Sequence, residues 1–286
     1  MQSTLNVLYS RAFIHLFFWE DLMEKVSVLI LTGYGINCDV ETAWAFEAAG
    51  ADKIERVHVN RVVNGEVDPE DFQIMVFPGG FSFGDHIASG RVLGLKVKKE
   101  MGEKLKKFIL DGKLVIGICN GFQTLVKMGV LPGDEKEVFK KQVATLTHND
   151  SAKYEDRWVR IKANPNNPSP FLEGIDIFDV AIRHGEGKFI AQQHDLRMIK
   201  DGNMIAFQYV DKNGEITQNY PENPNGSELA IAGITNKRGN VLGMMPHPEV
   251  FINGTQHPEW TRMDKMPEAL GLKIFSNAVK YVREKL

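Results

Sequence analysis

The chain contains few cysteines. Among its 286 residues only two are cysteine, Cys38 and Cys119. Two cysteines exclude a disulfide-rich scaffold and fit a protein that works in the reducing cytoplasm. They are also too few for a zinc site built from cysteines alone, and we expect no metal site in this chain.

The sequence also lacks an apolar run long enough to cross a membrane. The N-terminal stretch 12–19 has about eight residues of this kind, whereas a membrane-spanning helix needs ~20. It makes a poor signal peptide because a histidine interrupts it and no small-residue cleavage site follows. We expect no membrane partner. Residues 1–22 are interpreted as an extension, either disordered or a misassigned start, before a single domain over 23–286.

An excess of positive charge is absent as well. The net charge of -3 argues against nucleic acid as the main partner. No G-x-x-x-x-G-K-[ST] loop for nucleotide phosphates is found. What remains is an ordinary globular composition, with 43% hydrophobic and 25% charged residues, in a chain long enough for one large α/β domain.

Apolar runs and amphipathic stripes alternate along the first half of the chain. This alternation predicts an α/β fold with an open, mostly parallel sheet, helices on both faces and a flavodoxin-like arrangement. Functional sites in such sheets form at the carboxyl ends of the strands. The predicted strands are 26–31, 54–59, 74–77 and 114–118, and the predicted helices are 39–49 and 97–109.

After Gly133 the pattern changes to shorter strand-like segments between turns rich in proline and asparagine. We interpret these segments as antiparallel embellishments on the same domain, since no flexible linker divides the chain. They lie at 143–146, 158–161, 178–182 and 204–210, and a core strand at 241–245 and a final helix over 270–282 follow.

The most informative motif is Gly117-Ile118-Cys119-Asn120-Gly121, directly after the predicted strand 114–118. A buried strand that breaks at G-x-C-x-G and leads into a helix has the form of a nucleophile elbow. The helix N-terminus that follows favours a negatively charged thiolate. Cys119 is therefore the candidate nucleophile.

A nucleophilic cysteine needs a base and a group that orients the base. His247 follows the core strand 241–245, and Glu249 stands two residues later, where an extended segment points both side chains the same way. The triplet His257-Pro258-Glu259 is a competitor, but it follows a turn signal and is expected on a surface loop. The predicted triad is Cys119, His247 and Glu249.

Acyl transfer also needs donors for the oxyanion. The backbone N–H of Gly80, after the predicted strand 74–77, and the N–H of Asn120 are the candidates. On its own, the pair Gly79-Gly80 is equally typical of a simple tight turn.

These motifs resemble the class I, triad-type glutamine amidotransferases, and more closely the glutaminase subunits of phosphoribosylformylglycinamidine synthase. The resemblance extends from residue 26 to about residue 283. It rests on the segments 79–85, 119–123, 183–187, 223–227 and 243–249.

The resemblance implies that Cys119 attacks the side-chain amide of glutamine, with Gly80 and Asn120 holding the oxyanion. It implies that Gln123 contacts the substrate, although a glutamine on a helix surface is the plain alternative. The segment 184–186 is expected at the mouth of the site, at a partner interface or in a structural turn.

The resemblance also implies that ammonia passes to a large synthetase subunit, assisted by a small accessory subunit. That enzyme converts formylglycinamide ribonucleotide to its amidine in purine biosynthesis. ATP and Mg²⁺ are expected on the synthetase partner, with no cofactor on this chain.

Two alternative functions remain. One is a dienelactone-hydrolase-like α/β hydrolase, which expects an aspartate between nucleophile and histidine; the other is a non-enzymatic, DJ-1-like cysteine sensor. Cys38 is expected to be a small buried residue.

Overall fold

The computed structural model describes residues 25–133, 138–139 and 141–286. The interpretation of residues 1–22 as an extension lies outside these residues. In the part of the chain that the structure describes, no helix combines the length and the apolar character needed to cross a membrane.

A nine-stranded sheet forms the centre of the molecule, in the order β2-β1-β3-β4-β11-β10-β9-β6-β7, and β5 pairs with β8 in a separate two-stranded sheet. The strands are β1 Ser27–Thr32, β2 Lys53–His58, β3 Ile74–Phe77, β4 Leu114–Ile118, β5 Ala144–Thr147, β6 Glu155–Ala163, β7 Ile177–His184, β8 Lys188–Ala191, β9 Ile205–Tyr209, β10 Ile231–Thr235 and β11 Val241–Met244.

The half of the sheet from β2 to β11 is parallel. Strands β3 and β4 are buried along their whole length, which explains their continuous apolar sequence. The helices include two packed pairs, α1 with α6 and α3 with α4. The helices are α1 Asp39–Ala48, α2 Val59–Val63, α3 Arg91–Leu110, α4 Asn120–Met128, α5 Gln193–Asp201 and α6 Leu270–Lys285.

The strands from β10 to β7 are antiparallel and extend the same sheet. The predicted fold class is confirmed. Three of the four predicted embellishments become β6, β7 and β9 in the second half of the main sheet, whereas the segment 143–146 becomes β5, which pairs with β8 in the separate sheet. The sequence prediction missed α2, α5, β8 and β10. Strand β10 has the sequence IAGIT, whose small residues give no alternating apolar pattern, and only three residues of α5 are buried.

The topology places three chain segments together at one edge. Strands β3, β4 and β11 are neighbours and run parallel, so their carboxyl ends meet. Gly79-Gly80 follows β3, Cys119 follows β4 and His247 follows β11. The candidate oxyanion donor, nucleophile and base thus come from three adjacent strand ends.

Candidate active site

The backbone at Cys119 forms the predicted sharp turn. Its φ of 49° and ψ of -107° are unusual for a residue with a side chain. Gly121 makes this turn possible, because a Cβ there would lie 1.7 Å from the Phe77 carbonyl oxygen. The elbow therefore depends on a close approach between the start of α4 and the end of β3.

His247 lies in a turn that the neighbouring elements hold in place. Its N–H donates to the Ala181 carbonyl of β7 over 2.9 Å. Behind the turn, Gly271 of α6 approaches so closely that a Cβ would lie 2.3 Å from the Pro248 carbonyl oxygen. His247 is 1% exposed, so the surrounding residues hold its position.

Glu249 contacts His247 as the sequence predicts. The Nδ1 atom of His247 lies 2.5 Å from Oε1 of Glu249, and both side chains are buried. Arg183 Nη2 lies 3.3 Å from the same Nδ1 and 3.8 Å from Oε1. Since a guanidinium can only donate, we assign the Nδ1 proton to the bond with Glu249 and treat Arg183 as a charge facing the carboxylate.

The other ring nitrogen of His247, Nε2, is buried. No hydrogen-bond partner of Nε2 is found among the described residues. Cys119 and His247 line the same cavity of about 210 Å³, and Cys119 is 5% exposed. The arrangement leaves Nε2 ready to take a proton from a thiol or from a substrate.

Charges determine the protonation of His247. Burial lowers its pKa, but the neighbouring charges of Glu249 and Cys119 act in the opposite direction and outweigh it, so the pKa of His247 is raised well above its usual value. A raised pKa favours an imidazolium beside a thiolate, which is the ion pair that a cysteine nucleophile needs.

The two candidate oxyanion donors lie beside the nucleophile. Asn120 is the first residue of α4, where a backbone N–H has no acceptor within its own helix. Gly80 borders the same cavity as Cys119. Gly80 has a φ of +146°, and a Cβ there would lie 2.6 Å from the Gly35 carbonyl oxygen. Both observations explain why this position needs glycine.

Gln123 lies inside the protein and not on a helix surface. It is 3% exposed. Its Oε1 accepts from Asn120 over 3.0 Å, and its Nε2 donates to the Glu186 carbonyl over 2.6 Å. Gln123, Glu186 and Cys119 line a second cavity of about 230 Å³ that shares several residues with the first.

A buried polar network supports the segment 184–187. Asn149 Nδ2 donates to the His184 carbonyl over 2.8 Å, and its Oδ1 accepts from the Gly187 N–H over 2.9 Å. On the other side of the His184 ring, Asn225 Nδ2 lies 3.5 Å from Nε2. The motifs 183–187 and 223–227, which are far apart in sequence, therefore meet behind the second cavity.

Sequence reasoning missed six residues that line the first cavity, and three of them carry a charge, a thiol or a phenol close to Cys119. Arg183, Cys38 and Tyr154 all border it. Arg183 is the last residue but one of β7, Cys38 precedes α1 and Tyr154 precedes β6, so only the tertiary fold brings them together. The segment 183–187 gave a signal for Arg183, whereas no local signal marks Tyr154.

The expectation that His257 lies on a surface loop is wrong. It is 5% exposed and packs between the rings of Trp158 and Phe251 at centroid distances of 5.1 and 5.8 Å. Its Nε2 lies 3.5 Å from Asp179. The turn residues Asn253, Thr255 and Gln256 are exposed, but the His257 ring points inward to Trp158 of β6. His257 also borders a separate cavity of about 620 Å³.

Comparisons with known proteins agree with this geometry. A family profile described as the CobB/CobQ-like glutamine amidotransferase domain matches residues 25–282. The chain belongs to this family. The chain is 44% identical to the phosphoribosylformylglycinamidine synthase subunit PurQ of Dehalococcoides mccartyi, with 92% of this chain and 100% of the relative covered.

Two further similarities point the same way. A PurQ subunit of Methanococcus maripaludis is 40% identical, over 89% of this chain and 96% of the relative. One chain of the PurLQS structure from Thermotoga maritima superimposes with a TM-score of 0.65 at 27% identity, covering 90% of this chain and 99% of that one. The family that the sequence predicts, the glutaminase subunits of phosphoribosylformylglycinamidine synthase, is confirmed.

Proposed function

We propose that this chain is the glutaminase subunit of a phosphoribosylformylglycinamidine synthase and that Cys119, His247 and Glu249 are its catalytic triad. The observation that carries the proposal is the 2.5 Å contact between His247 Nδ1 and Glu249 Oε1, which leaves Nε2 without a partner in a residue that lines the same cavity as Cys119. Similarity to PurQ subunits supports glutamine as the substrate.

The reaction begins at the thiolate. Cys119 Sγ attacks the side-chain amide carbon of glutamine, and the N–H groups of Gly80 and Asn120 stabilise the oxyanion. The His247 imidazolium gives its proton to the departing ammonia, and a γ-glutamyl thioester remains. His247 then takes a proton from water, which attacks the thioester and releases glutamate.

Glu249 acts through His247. Held at Nδ1, its carboxylate keeps the ring in the tautomer that exposes Nε2 and stabilises the imidazolium. The same contact disfavours the two alternatives, because a sensor needs no orienting carboxylate and an α/β hydrolase places its acid between nucleophile and histidine.

The cavities around Cys119 carry charges of both signs. Arg183 provides a positive charge, and Asp85 and Glu186 provide carboxylates. Free glutamine has a carboxylate and an ammonium group on the same carbon, so this lining fits an amino acid better than a peptide. Gln123 borders the same cavity, and its contact with the substrate stays a prediction.

Ammonia from this site would serve a synthetase. The relatives are subunits of phosphoribosylformylglycinamidine synthase, and the superimposed chain comes from the PurLQS structure. We therefore place a large synthetase subunit and a small accessory subunit beside this chain, with ATP and Mg²⁺ on the synthetase. We assign the chain to the cytoplasm, where its two free cysteines stay reduced.

The test compares two nitrogen sources in the reconstituted complex. Cys119→Ala should abolish glutamine-dependent amidine synthesis and leave synthesis from added ammonium within about two-fold of the wild type, because ammonia needs no thioester. Ser276→Ala, on α6 away from the cavities, serves as the control. If Cys119→Ala still releases glutamate from glutamine at the wild-type rate, the proposal is wrong.

A further inference from the structure

The backbone N–H groups that follow the candidate oxyanion donor Gly80 are bound to fixed acceptors. The Phe81 N–H donates to the Gly35 carbonyl over 2.9 Å. The Ser82 N–H donates to a side chain, since Oδ1 of Asn120 lies 3.2 Å from its nitrogen. Among the described residues, no acceptor is found for the N–H of Gly80 itself. The loop after β3 therefore offers the Gly80 N–H to a ligand, and the bonds of the next two residues hold that loop in place.

The Asn120 side chain is itself held in one orientation. It is fully buried, at 0% exposed. Its Nδ2 donates to Asp85 Oδ1 over 3.1 Å and to Gln123 Oε1 over 3.0 Å, so both amide protons are used. A flipped amide would turn its oxygen towards those two acceptors and its N–H groups towards the Ser82 N–H. The network thus fixes Oδ1 as the acceptor of the Ser82 N–H.

This side chain connects the two candidate oxyanion donors. One donor is the N–H of Asn120 itself, at the first residue of α4. The other belongs to Gly80, two residues before the Ser82 N–H that the Asn120 side chain binds. Peptide groups are planar, so the short backbone between Gly80 and Ser82 has few free torsions. One asparagine therefore supplies one donor and holds the loop that carries the other.

We propose that the Asn120 side chain positions the oxyanion hole, by holding the loop after β3 where the Gly80 N–H and the Asn120 N–H both reach the oxyanion. The inference rests on the proposed function, because an oxyanion forms only when Cys119 attacks a carbonyl carbon. Donors of this kind act on the transition state, and a misplacement of about 1 Å can lower the rate about 10²-fold. Asn120 is thus a positioning residue through its side chain, in addition to its own N–H.

The position of the substrate should depend much less on this side chain. Gln123, the predicted substrate contact, has a second bond of its own, from Nε2 to the Glu186 carbonyl over 2.6 Å. Loss of the Asn120 amide leaves that bond in place. An interaction that is made only in the transition state changes kcat and leaves KM nearly unchanged. The proposal therefore predicts a loss in kcat without a matching rise in KM.

An ordinary structural asparagine provides the matched control. Asn277 on α6 is also buried, at 8% exposed, and its Nδ2 donates to the carbonyls of Phe171 and Glu173 over 3.0 and 2.8 Å. It borders neither of the two cavities next to Cys119. Asn277→Ala therefore removes a buried amide that holds a loop, at a place where no oxyanion forms.

The first test measures glutamate release from glutamine in the reconstituted complex. In Asn120→Ala, kcat should fall about 10²-fold and KM should stay within about three-fold of the wild type. In Asn277→Ala, kcat should stay within about two-fold of the wild type. Circular dichroism of each variant shows whether it is folded. Asn120→Ser, whose hydroxyl is one bond shorter than the amide and cannot reach the Ser82 N–H, repeats the test should the alanine variant fold poorly.

The second test measures alkylation of Cys119 by iodoacetamide in the same complexes. This reaction displaces iodide from a saturated carbon, so it needs the thiolate but no oxyanion hole. Its rate in Asn120→Ala should stay within about three-fold of the wild type, because the thiolate and its access are unchanged. A general disturbance of the elbow would slow alkylation and glutamine hydrolysis alike.

Three results overturn the proposal: a loss in kcat of less than ten-fold in a folded Asn120 variant, alkylation that slows as much as hydrolysis, or an equal loss of kcat in Asn277→Ala. In each of these cases the wild type still hydrolyses glutamine, and the proposed function stands. If the wild-type complex releases no glutamate from glutamine, the proposed function is wrong and the positioning role is wrong with it.

Discussion

At the scale of single residues, the site depends on which atoms of His247 are occupied. Glu249 holds Nδ1, and the buried Nε2 is left for chemistry. Arg183, on β7, lies 3.8 Å from Glu249 Oε1. The Glu249 carboxylate therefore faces two positive groups, the Arg183 guanidinium and the His247 imidazolium. The histidine is therefore held in one orientation before substrate arrives.

The role of Glu249 leads to a first prediction. Glu249→Gln keeps the shape of the side chain but removes the charge that stabilises the imidazolium, so kcat for glutamine hydrolysis should fall by about 10³- to 10⁴-fold with KM changed little. Steady-state assays of glutamate release measure this effect. Glu41→Gln is the matched control, because Glu41 lies 3.9 Å from Arg183 on the same cavity. A loss of less than ten-fold in Glu249→Gln contradicts the assigned role.

A second prediction concerns the pH dependence of stability. Burial lowers the pKa of His184 to about 3, and its neutral ring accepts from Asn225. In the unfolded chain its pKa is about 6.5. Above about pH 6.5 the neutral His184 ring costs the folded state nothing. As the pH falls from 6.5 towards 3 the folded state loses stability relative to the unfolded state, because only the unfolded state takes up the proton.

Between pH 6.5 and 5.0 this histidine should cost the wild type about 1.5 kcal/mol of unfolding free energy. Urea titrations at both values should show a smaller loss in His184→Gln, whatever its absolute stability. His194→Gln, at an exposed position, should retain the wild-type difference. An equal pH difference in His184→Gln and in the wild type would rule out His184 as the cause.

At the scale of secondary structure elements, the site lies where the carboxyl ends of three adjacent parallel strands meet. The order β3, β4, β11 and their common direction place glycine, cysteine and histidine at one edge. The close contact between α4 and β3 at Gly121 sets the angle of the elbow.

A third prediction follows from that contact. In Gly121→Ala the added Cβ would lie 1.7 Å from the Phe77 carbonyl, and backbone cannot move away cheaply. We expect a loss of more than about 3 kcal/mol in unfolding free energy. Gly102→Ala is the control, because its Cβ would meet only Phe139 at 3.5 Å within a helix, where alanine is favoured. Equal stability of the two variants by urea titration would contradict the strain argument.

The sequence predicts the parallel half of the sheet better than the antiparallel half. Buried parallel strands such as β1 and β3 are continuous apolar runs and are recognisable locally. Strand β10 is recognisable only through its partners β9 and β11. The proposed triad could be named from the sequence because Cys119, His247 and Glu249 lie in motifs next to predicted strand ends. Cys38 and Tyr154 reach the cavity through tertiary contacts alone.

At the scale of the whole molecule, the chain is built to produce a small product beside a partner. The cavities next to Cys119 are lined by exposed aromatic side chains, Phe81 and Tyr154, whose rings stack at 6.3 Å. The relatives act as subunits of a synthase, and glutamine hydrolysis on this chain would supply the nitrogen that the synthase transfers.

The central claim is that Cys119 carries the glutamyl group, and acid quenching tests it most directly. The complex is mixed with saturating glutamine, quenched in acid and digested with trypsin, and the peptide 114–127 is analysed by mass spectrometry. We predict a γ-glutamyl group on Cys119 during turnover, none on Cys38 and none anywhere in Cys119→Ala. Sustained glutamate release with the γ-glutamyl group on another residue would contradict the account.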